Sequence, residues 1–581
     1  MNIFAEIRKK VIDELAAMAS EGELPKGLNF QNVSLEPPRD AAHGDMATNA
    51  ALVLSKQSGR PPREIATVLA KRLSVDPRIK QLNVAGPGFI NMRLSEKMLH
   101  EVLICALNMG NAYGRSAMGA DRRVNVEFVS ANPTGPLHVG HTRGAVFGDS
   151  LANLLEYSGF DVTREYYIND GGAQVDTLAR SLYQRYLETF GRNAIFDENG
   201  YPGDYLVPVA EKLRDRYGDA FLDQPEEMWL SPLRDFATDS IMDSIRRDLE
   251  KLGISMDVYF SEKSLYGTGR IEEAIAEMDK RGLVYEGVLD PPKGKLPEDW
   301  EARKQTLFKS TLHGDDVDRP VKKSDGSWTY FAPDIAYHYD KAKRGFDMLI
   351  DIFGADHAGY VKRMKAAVSG LSDGKVMLDI KLIELVRLFK EGRPVKMSKR
   401  SGTFVTLREV VDEVGPDVTR FVMLTRRNDA VLDFDFDKVL EQSRENPVFY
   451  VQYAHARIKS VLRNAKKSGI DVSDNSLLEA DVSKLSHEMQ RSLAKKLAEW
   501  PRIVELASKT FEPHRIALYL NELSAGLHSL WNLGNDDAGM RFIDESDHDS
   551  TLAKIALARA CAIVISSGLG ILGVNPADEM R

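Results

Sequence analysis

The 581-residue chain contains only two cysteines, Cys105 and Cys561. A pair so far apart supplies neither a disulfide framework nor a cysteine-rich zinc site, and a reducing cytoplasm is the expected compartment. Long apolar runs are missing too: no uninterrupted stretch approaches the roughly eighteen residues that a spanning helix needs, so a soluble chain with no membrane partner is expected. The opening MNIFAEIRKKVIDELAAMA lacks the unbroken apolar centre of a secretory signal. Its apolar residues fall at helical spacing with charges between them, so it reads as a domain's first helix. An excess of positive charge is also absent, since 77 Lys and Arg stand against 86 Asp and Glu for a net charge of −9. Any nucleic-acid contact must therefore come from local patches. Internal repeats and low-complexity tracts are not seen.

What is present is a chain long enough for three or four folding units, each with a substantial core. Residues 1–118 alternate helical patterns, such as PPREIATVLAKRL, with short strands around the turn in LNVAGPGFINMRL. They read as a small α/β domain. From Arg122 the pattern changes. RRVNVEFV sets Val124, Val126 and Phe128 on one face, and a loop then leads into a helix that Gly159 stops. With the strand FDVTREYYI this makes a β-loop-α-β unit of parallel-sheet type, and such sheets bind ligands at the carboxyl ends of their strands. A second unit of this kind begins at FDMLIDIFGADHAGYVKRM. Between the two, residues of about 170–320 read as an insertion, so that the sheet domain covers 119–395. Residues 396–430 form a basic loop and connecting helices, with Thr406 and Glu409 spaced as a capping box. Residues 431–581 read as an all-α bundle.

Two loops carry the chemistry. In ANPTGPLHVGHTRGAV, His138 and His141 stand three apart at the mouth of a helix. A metal pair, satisfied structural histidines and an anion site are all compatible with that spacing, although the zinc-protease signature differs from it in spacing and in its internal glutamate. The helix N-terminus favours an anion: its amides are unpaired, its dipole is positive, and Gly135 and Gly140 let a ligand approach the backbone. The second loop, Lys396-Met397-Ser398-Lys399-Arg400, sets cationic donors between glycines. It suits a polyphosphate as well as it suits a solvated loop. A further basic run, HARIKSVLRNAKK, places Arg457, Lys459 and Arg463 on one helical stretch, where they could track a phosphate backbone or simply face water.

A His-X-Gly-His loop after the first strand of a parallel sheet, followed far downstream by Lys-Met-Ser-Lys, resembles the paired signatures of class I aminoacyl-tRNA synthetases. The segments VEFVSANPTGPLHVGHTRGAVFGD, YYINDGGAQ, DGSWTYFAPDIAYH, FGADHAGYV, NPVFYVQYAHARI and EPHRIALYLNELSAGLHS are similar to the bacterial arginyl-tRNA synthetase family over nearly the whole chain. The resemblance implies an α/β fold with a Rossmann-type parallel-sheet catalytic core, an N-terminal α/β domain that contacts tRNA and a C-terminal all-α bundle that binds the anticodon. It implies ATP with Mg2+, L-arginine and arginine tRNA as ligands, and a monomer. It also implies that amino-acid activation needs bound tRNA. By resemblance His138, His141, Lys396 and Lys399 are catalytic. Pro133, Gly135, Gly140, Gly354, Asp356, His357, Met397 and Ser398 complete the ATP site. No dedicated metal-ligand cluster is identified, and Tyr453, Arg457, Lys459 and Arg463 are the candidate tRNA contacts. The family's ending is varied here as NPADEMR, and the segment with Tyr201, Gly203 and Tyr205 matches one whose role the residues do not reveal.

A pocket selective for a guanidinium needs carboxylate, carbonyl or hydroxyl acceptors. Tyr330 and Asp334, four apart in TYFAPDIAYH, match the family's tyrosine and aspartate that line the arginine site, so by resemblance Asp334 is the expected guanidinium partner and Tyr330 a wall, with Glu127 and Asn132 nearer the α-amino end. The alternative for Asp334 is a helix cap. A noncatalytic RNA-binding paralogue and a synthetase of other specificity compete with this reading. Both signature loops are complete, which disfavours the first, and two cysteines cannot supply the zinc site of a cysteine enzyme. Removal of residues beyond about Asn446 is expected to abolish charging while leaving the sheet domain folded.

Overall fold

A computed structural model of the chain describes residues 1–289, 303–395, 405–443 and 445–580. At its centre lies a five-stranded, wholly parallel sheet built from β1 (Arg123–Glu127), β2 (Asp161–Ile168), β3 (Val258–Ser261), β4 (Met348–Gly354) and β5 (Met377–Ile383). The spatial order is β5-β4-β1-β2-β3. The chain thus winds outward from β1 through β2 to β3, then returns to the other side of β1 for β4 and β5. Adjacent strands β1 and β4 form the switch point, where their carboxyl ends open a crevice for a ligand. Val124, Val126 and Phe128 are buried as their alternation predicts, but Asn125 and Glu127 are buried as well, because this central strand is covered on both faces.

Strand β1 delivers the chain through the histidine loop into helix α1 (Val139–Tyr157), and Gly159 follows its end at φ 89°, as expected of a stop. Helix α2 (Phe331–Lys343) precedes β4, and helix α3 (Leu407–Val414) follows the basic loop. The capping box of α3 is realised, since the Glu409 amide donates to Thr406 Oγ1 at 3.1 Å and the Thr406 amide donates to Glu409 Oε2 at 2.7 Å. The N-terminal unit pairs its strands in a four-stranded antiparallel sheet whose Ile79–Ala85 and Phe89–Leu94 hairpin is the one read from the sequence.

Two boundaries differ from expectation. Residues 170–320 do not form one continuous insertion, because β3 returns to the main sheet, and a separate three-stranded antiparallel sheet lies between β3 and α2. Residues 431–581 are not helical from their start. Leu432–Asp435 is a strand paired in parallel with Val386–Lys390, and the long helices begin with α4 (Pro447–Lys467).

The last helix, α5 (His548–Leu572), is long and apolar enough to cross a membrane, with a mean hydropathy of 2.0 over its most apolar stretch. Lys554 and Arg559 interrupt it, so it does not stand out as an apolar run. Of that stretch, 83% is buried inside the fold, which accounts for its composition. The C-terminal end of α5 is joined to α1: Ser150 Oγ donates to Leu572 O at 3.3 Å and Asn153 Nδ2 to Ile571 O at 3.2 Å. One apolar core runs from Ile3 to Val574. The bundle is therefore not separable in the way the sequence suggested, since deletion after Asn446 would strip one side of α1.

Candidate active site

His138 is the N-cap of α1, and the two histidines close a capping box. The Gly140 amide donates to His138 Nδ1 at 3.1 Å, and the His138 amide donates to His141 Nδ1 at 3.3 Å. Each Nδ1 accepts, so in the neutral ring each Nε2 carries the hydrogen. The rings stack with centroids 3.8 Å apart. The structural reading is realised in the capping box, and the same caps set the tautomer, with the hydrogen on Nε2 at a helix end that carries positive potential.

Residues 396–400 of the second signature lie outside the described residues. Val405 and the residues after it are joined to the histidine segment. The Val139 amide donates to Val405 O at 3.1 Å, the Leu407 amide donates to Leu137 O at 2.8 Å, and His138 bridges Thr406. From the other side of the switch point, β4 ends at Gly354, and Asp356 and His357 follow with exposed side chains. Pro133 is buried under the loop, and Asn132 is exposed, its Nδ2 donating to Gln174 Oε1 at 2.8 Å.

The segment of unassigned role now has one. Tyr205 donates its hydroxyl to Thr134 O at 2.6 Å, and its ring lies against Gly135, where a Cβ would come within 3.3 Å. Gly203 is small for the same reason, because a Cβ there would meet the Tyr205 ring at 2.4 Å. Tyr205 props the loop ahead of the histidines, and Tyr201 packs on the core beside it.

Near the carboxyl ends of β1 and β3, Asp334, Glu262 and Glu127 form a cluster of acids close enough for their charges to act on Asp334. Asp334 sits in the first turn of α2, but the N-cap is Tyr330, which makes no side-chain cap, so capping is not the role of Asp334. Burial, with Glu262 and Glu127 adding to it against the opposing His338 and Tyr360, pushes its carboxyl up to about 7. Tyr330 is 90% exposed at the rim. Sequence reasoning passed over Glu262, which lies just after β3. It is buried, its carboxyl is raised by that burial, and it accepts from the Tyr266 hydroxyl at 2.9 Å. No local pattern marks it, because β3 itself is only four residues long.

Glu127 forms the floor rather than projecting freely into the crevice. It is 4% exposed, Oε2 accepts from Lys341 Nζ at 2.6 Å and Oε1 from Ser130 Oγ at 2.9 Å. A carboxylate has about four acceptor positions, so capacity for a further donor remains. The register explains the lysine. Asp351, Glu127 and Glu165 lie side by side on β4, β1 and β2, a buried row of three acids. Helix α2 answers with His338, Lys341 and, at its C-cap, Arg344, spaced three apart. His338 Nε2 is 2.8 Å from Asp351 Oδ2, Lys341 bridges Asp351 and Glu127, and Arg344 grips Glu165 at 2.8 and 2.9 Å. Glu127, His338 and Asp351 are the one set among the described residues whose ligand atoms could surround a metal ion. The Lys341 ammonium already supplies the cation there.

Away from the crevice, Arg457 of α4 stacks on Tyr453 at 4.2 Å and on Trp531 at 5.0 Å. Lys459 and Arg463 are engaged by the acidic C-terminal segment, Lys459 with the Asp578 carboxylate at 3.3 Å and Arg463 with Asp578 O at 3.1 Å.

Three family descriptions match successive parts of this chain: the arginyl tRNA synthetase N terminal domain over 5–94, the tRNA synthetases class I (R) catalytic domain over 103–462, and the DALR anticodon binding domain over 451–580. The chain belongs to the class I arginyl-tRNA synthetase family. It is 66% identical to the arginine–tRNA ligases of Ruegeria pomeroyi and Roseobacter denitrificans and 64% identical to that of Paracoccus denitrificans, each aligned over 581 residues and 100% of both chains. Its fold is similar to that of Thermus thermophilus arginyl-tRNA synthetase, with a TM-score of 0.74 at 21% identity over 99% of this chain and 100% of that one. The Plasmodium falciparum arginyl-tRNA synthetase gives 0.71 at 15% identity, over 100% and 99%. The helical C-terminal part of the chain is the region that matches the DALR anticodon binding domain.

Proposed function

We infer that the chain is an arginine–tRNA ligase that activates L-arginine with ATP and transfers it to the 3′-terminal ribose of arginine tRNA. The observation that carries this reading is a pair of features at the switch point: histidines whose Nδ1 atoms cap a helix N-terminus, and an acid cluster in which the half-buried Asp334 has no salt bridge to a lysine or arginine among the described residues. An oxygen of the arginine carboxylate attacks the α-phosphorus of ATP, and pyrophosphate leaves. The terminal 2′-hydroxyl of tRNA then attacks the acyl carbon of arginyl-adenylate, and AMP leaves. His138 and His141 donate to phosphate oxygens as charge grows on them, with Pro133, Gly135, Gly140, Gly354, Asp356 and His357 shaping the nucleotide site. Asp334, Tyr330, Glu127 and Asn132 receive arginine. The protein performs little covalent chemistry, so positioning and fixed charge supply the acceleration.

ATP enters as its magnesium complex. The buried Glu127, His338 and Asp351 set does not fit that ion, since Lys341 is hydrogen-bonded within it. Lys396 and Lys399 steady the departing pyrophosphate, and Met397 and Ser398 belong to the same loop. Tyr453, Arg457, Lys459 and Arg463 form the tRNA-facing side of α4, and the working form is a cytoplasmic monomer. Aminoacylation of bulk tRNA with each amino acid in turn tests the function: charging with arginine alone is expected, and charging with another amino acid would overturn the reading. Replacing Lys399 by alanine is expected to slow single-turnover adenylate formation on the order of 100-fold with little change in arginine KM, because its charge is needed as pyrophosphate departs. Wild-type single-turnover rates in that variant would remove Lys399 from the assignment.

A further inference from the structure

The acid row under the crevice is costly in a way that the catalytic loops do not explain. Glu127 and Asp351 are paired in register on adjacent strands, and both are buried. Two carboxylates so placed cannot both stay ionised without a cation between them. Lys341 is that cation. Its side chain has no exposure, and its three ammonium hydrogens are accounted for by Glu127 Oε2 at 2.6 Å, Asp351 Oδ1 at 3.1 Å and the face of Tyr337, whose centroid lies 4.5 Å away. Asp351 spends its other oxygen on His338 Nε2 at 2.8 Å, and His338 Nδ1 stands 2.8 Å from Asp334 O. Both partners of His338 are acceptors, so both ring nitrogens carry hydrogen and the ring is a cation. The group closes with two anions and two cations. It also forms an unbroken path of hydrogen bonds from Glu127 to the backbone of Asp334.

We propose that Lys341 is a positioning residue for arginine recognition, an internal ammonium that holds the Glu127 carboxylate at the pocket floor and neutralises the Glu127 and Asp351 pair. The substrate guanidinium then meets Asp334 and Glu262, which no lysine or arginine pairs among the described residues, and not the deeper Glu127 and Asp351 as well. This rests on the assignment of Asp334 and Glu127 to the arginine pocket. A single outlet for the guanidinium fixes how far the side chain enters, and hence where the α-carboxylate stands against the α-phosphate. Without Lys341 the freed carboxylates would either protonate or draw the guanidinium below its place. Either outcome weakens productive arginine binding, while the histidine loop keeps its own anchors, the Val139 amide on Val405 O and the Leu407 amide on Leu137 O.

The test uses full-length Lys341→Ala in tRNA charging at varied arginine and varied ATP, with methylammonium chloride or an equal concentration of sodium chloride. Arginine KM is expected to rise on the order of tenfold or more while ATP KM stays within about twofold, as for a broken buried charge pair. Methylammonium, a small cation that fits the vacated volume, is expected to recover most of the loss where sodium does not. A wild-type arginine KM would overturn the proposal, as would arginine and ATP KM rising together with no recovery by the amine. If the alanine variant does not fold, Lys341→Met combined with Asp351→Asn removes one cation and one anion. That double variant is still expected to raise arginine KM, because Glu127 has lost its ammonium partner and keeps only Ser130 Oγ, and a wild-type value there overturns the proposal too. Asp334→Asn separates the two levels. If it alone changes arginine KM, the pocket stands and the role of Lys341 falls; if it changes nothing, the pocket itself is misplaced.

Discussion

Exchanging Asp334 for asparagine is expected to remove about 2–5 kcal/mol of preference for arginine over citrulline, the loss seen when a buried charge pair is broken on one side. Asparagine keeps the size and the acceptor of the side chain, and citrulline keeps the shape of arginine without its charge. The comparison therefore isolates the charge. A helix-cap role would predict almost no change, and the structure already speaks against it, because the helix starts at Phe331 and Asp334 is its fourth residue. A second consequence follows from acidity. With its carboxyl raised from an ordinary 3.8 to about 7 by burial, chiefly, and by Glu262 and Glu127, Asp334 is largely protonated in the ligand-free protein at pH 6. A guanidinium binds the ionised form, so arginine binding below pH 7 releases a proton, and arginine KM should fall as pH rises through about 7. The sign for folding is the opposite: the raised group's contribution to stability is fully present below 3.8 and is lost as pH rises through about 7. In Asp334→Asn the arginine KM should lose this dependence while any pH effect on ATP KM persists. An unchanged arginine-to-citrulline ratio in the folded variant would move the guanidinium site elsewhere.

Much of the frame around that site is legible in one sequence because its signals are local. Val124, Val126 and Phe128 announce a strand, Gly159 a helix stop, and Thr406 with Glu409 a capping box, each within a few residues. The histidine loop is legible for the same reason, although its capping geometry, which makes tautomer and cap one device, is not. What escapes is set by register between distant strands. Asp351 is 224 residues from its neighbour Glu127, and no window contains both. The answering cations were in view, since His338, Lys341 and Arg344 repeat at a spacing of three along one helix face, an unusual run beneath a parallel sheet. Glu262 escapes because the four-residue strand before it is too short for a period to show. The separability of the last domain failed on a related point. Composition places a helical bundle after the sheet domain, but only the fold shows that the end of α5 completes the surface of α1.

That joint carries the other large expected effect. Arg420 is 1% exposed, and its guanidinium donates from Nε to Leu572 O at 2.8 Å, from Nη1 to Leu252 O at 2.8 Å and from Nη2 to Asp149 of α1. One side chain thus ties the end of α5, the end of the helix that precedes β3 and the middle of the helix that begins at the histidines. Gly573 confirms how close the fit is: its φ is 67°, and a Cβ there would lie 2.1 Å from Arg420 Nη2. Replacing Arg420 by methionine keeps the apolar stem but takes the guanidinium from Leu252 O, from Leu572 O, which keeps only Ser150 Oγ at 3.3 Å, and from the buried Asp149 carboxylate. Asp149 keeps Arg164 at 3.4 Å, which offsets part of the loss. The net destabilisation is expected at about 3–5 kcal/mol, read as a lower urea midpoint. Arg387→Met is the contrast, since its pair with Asp433 lies at the surface with both side chains more than half exposed, and it should hardly move the midpoint. If the bundle folded independently of the sheet domain, Arg420→Met would split the transition in two, with the sheet domain melting as in wild type. A single transition shifted as a whole is what a shared core from Ile3 to Val574 requires.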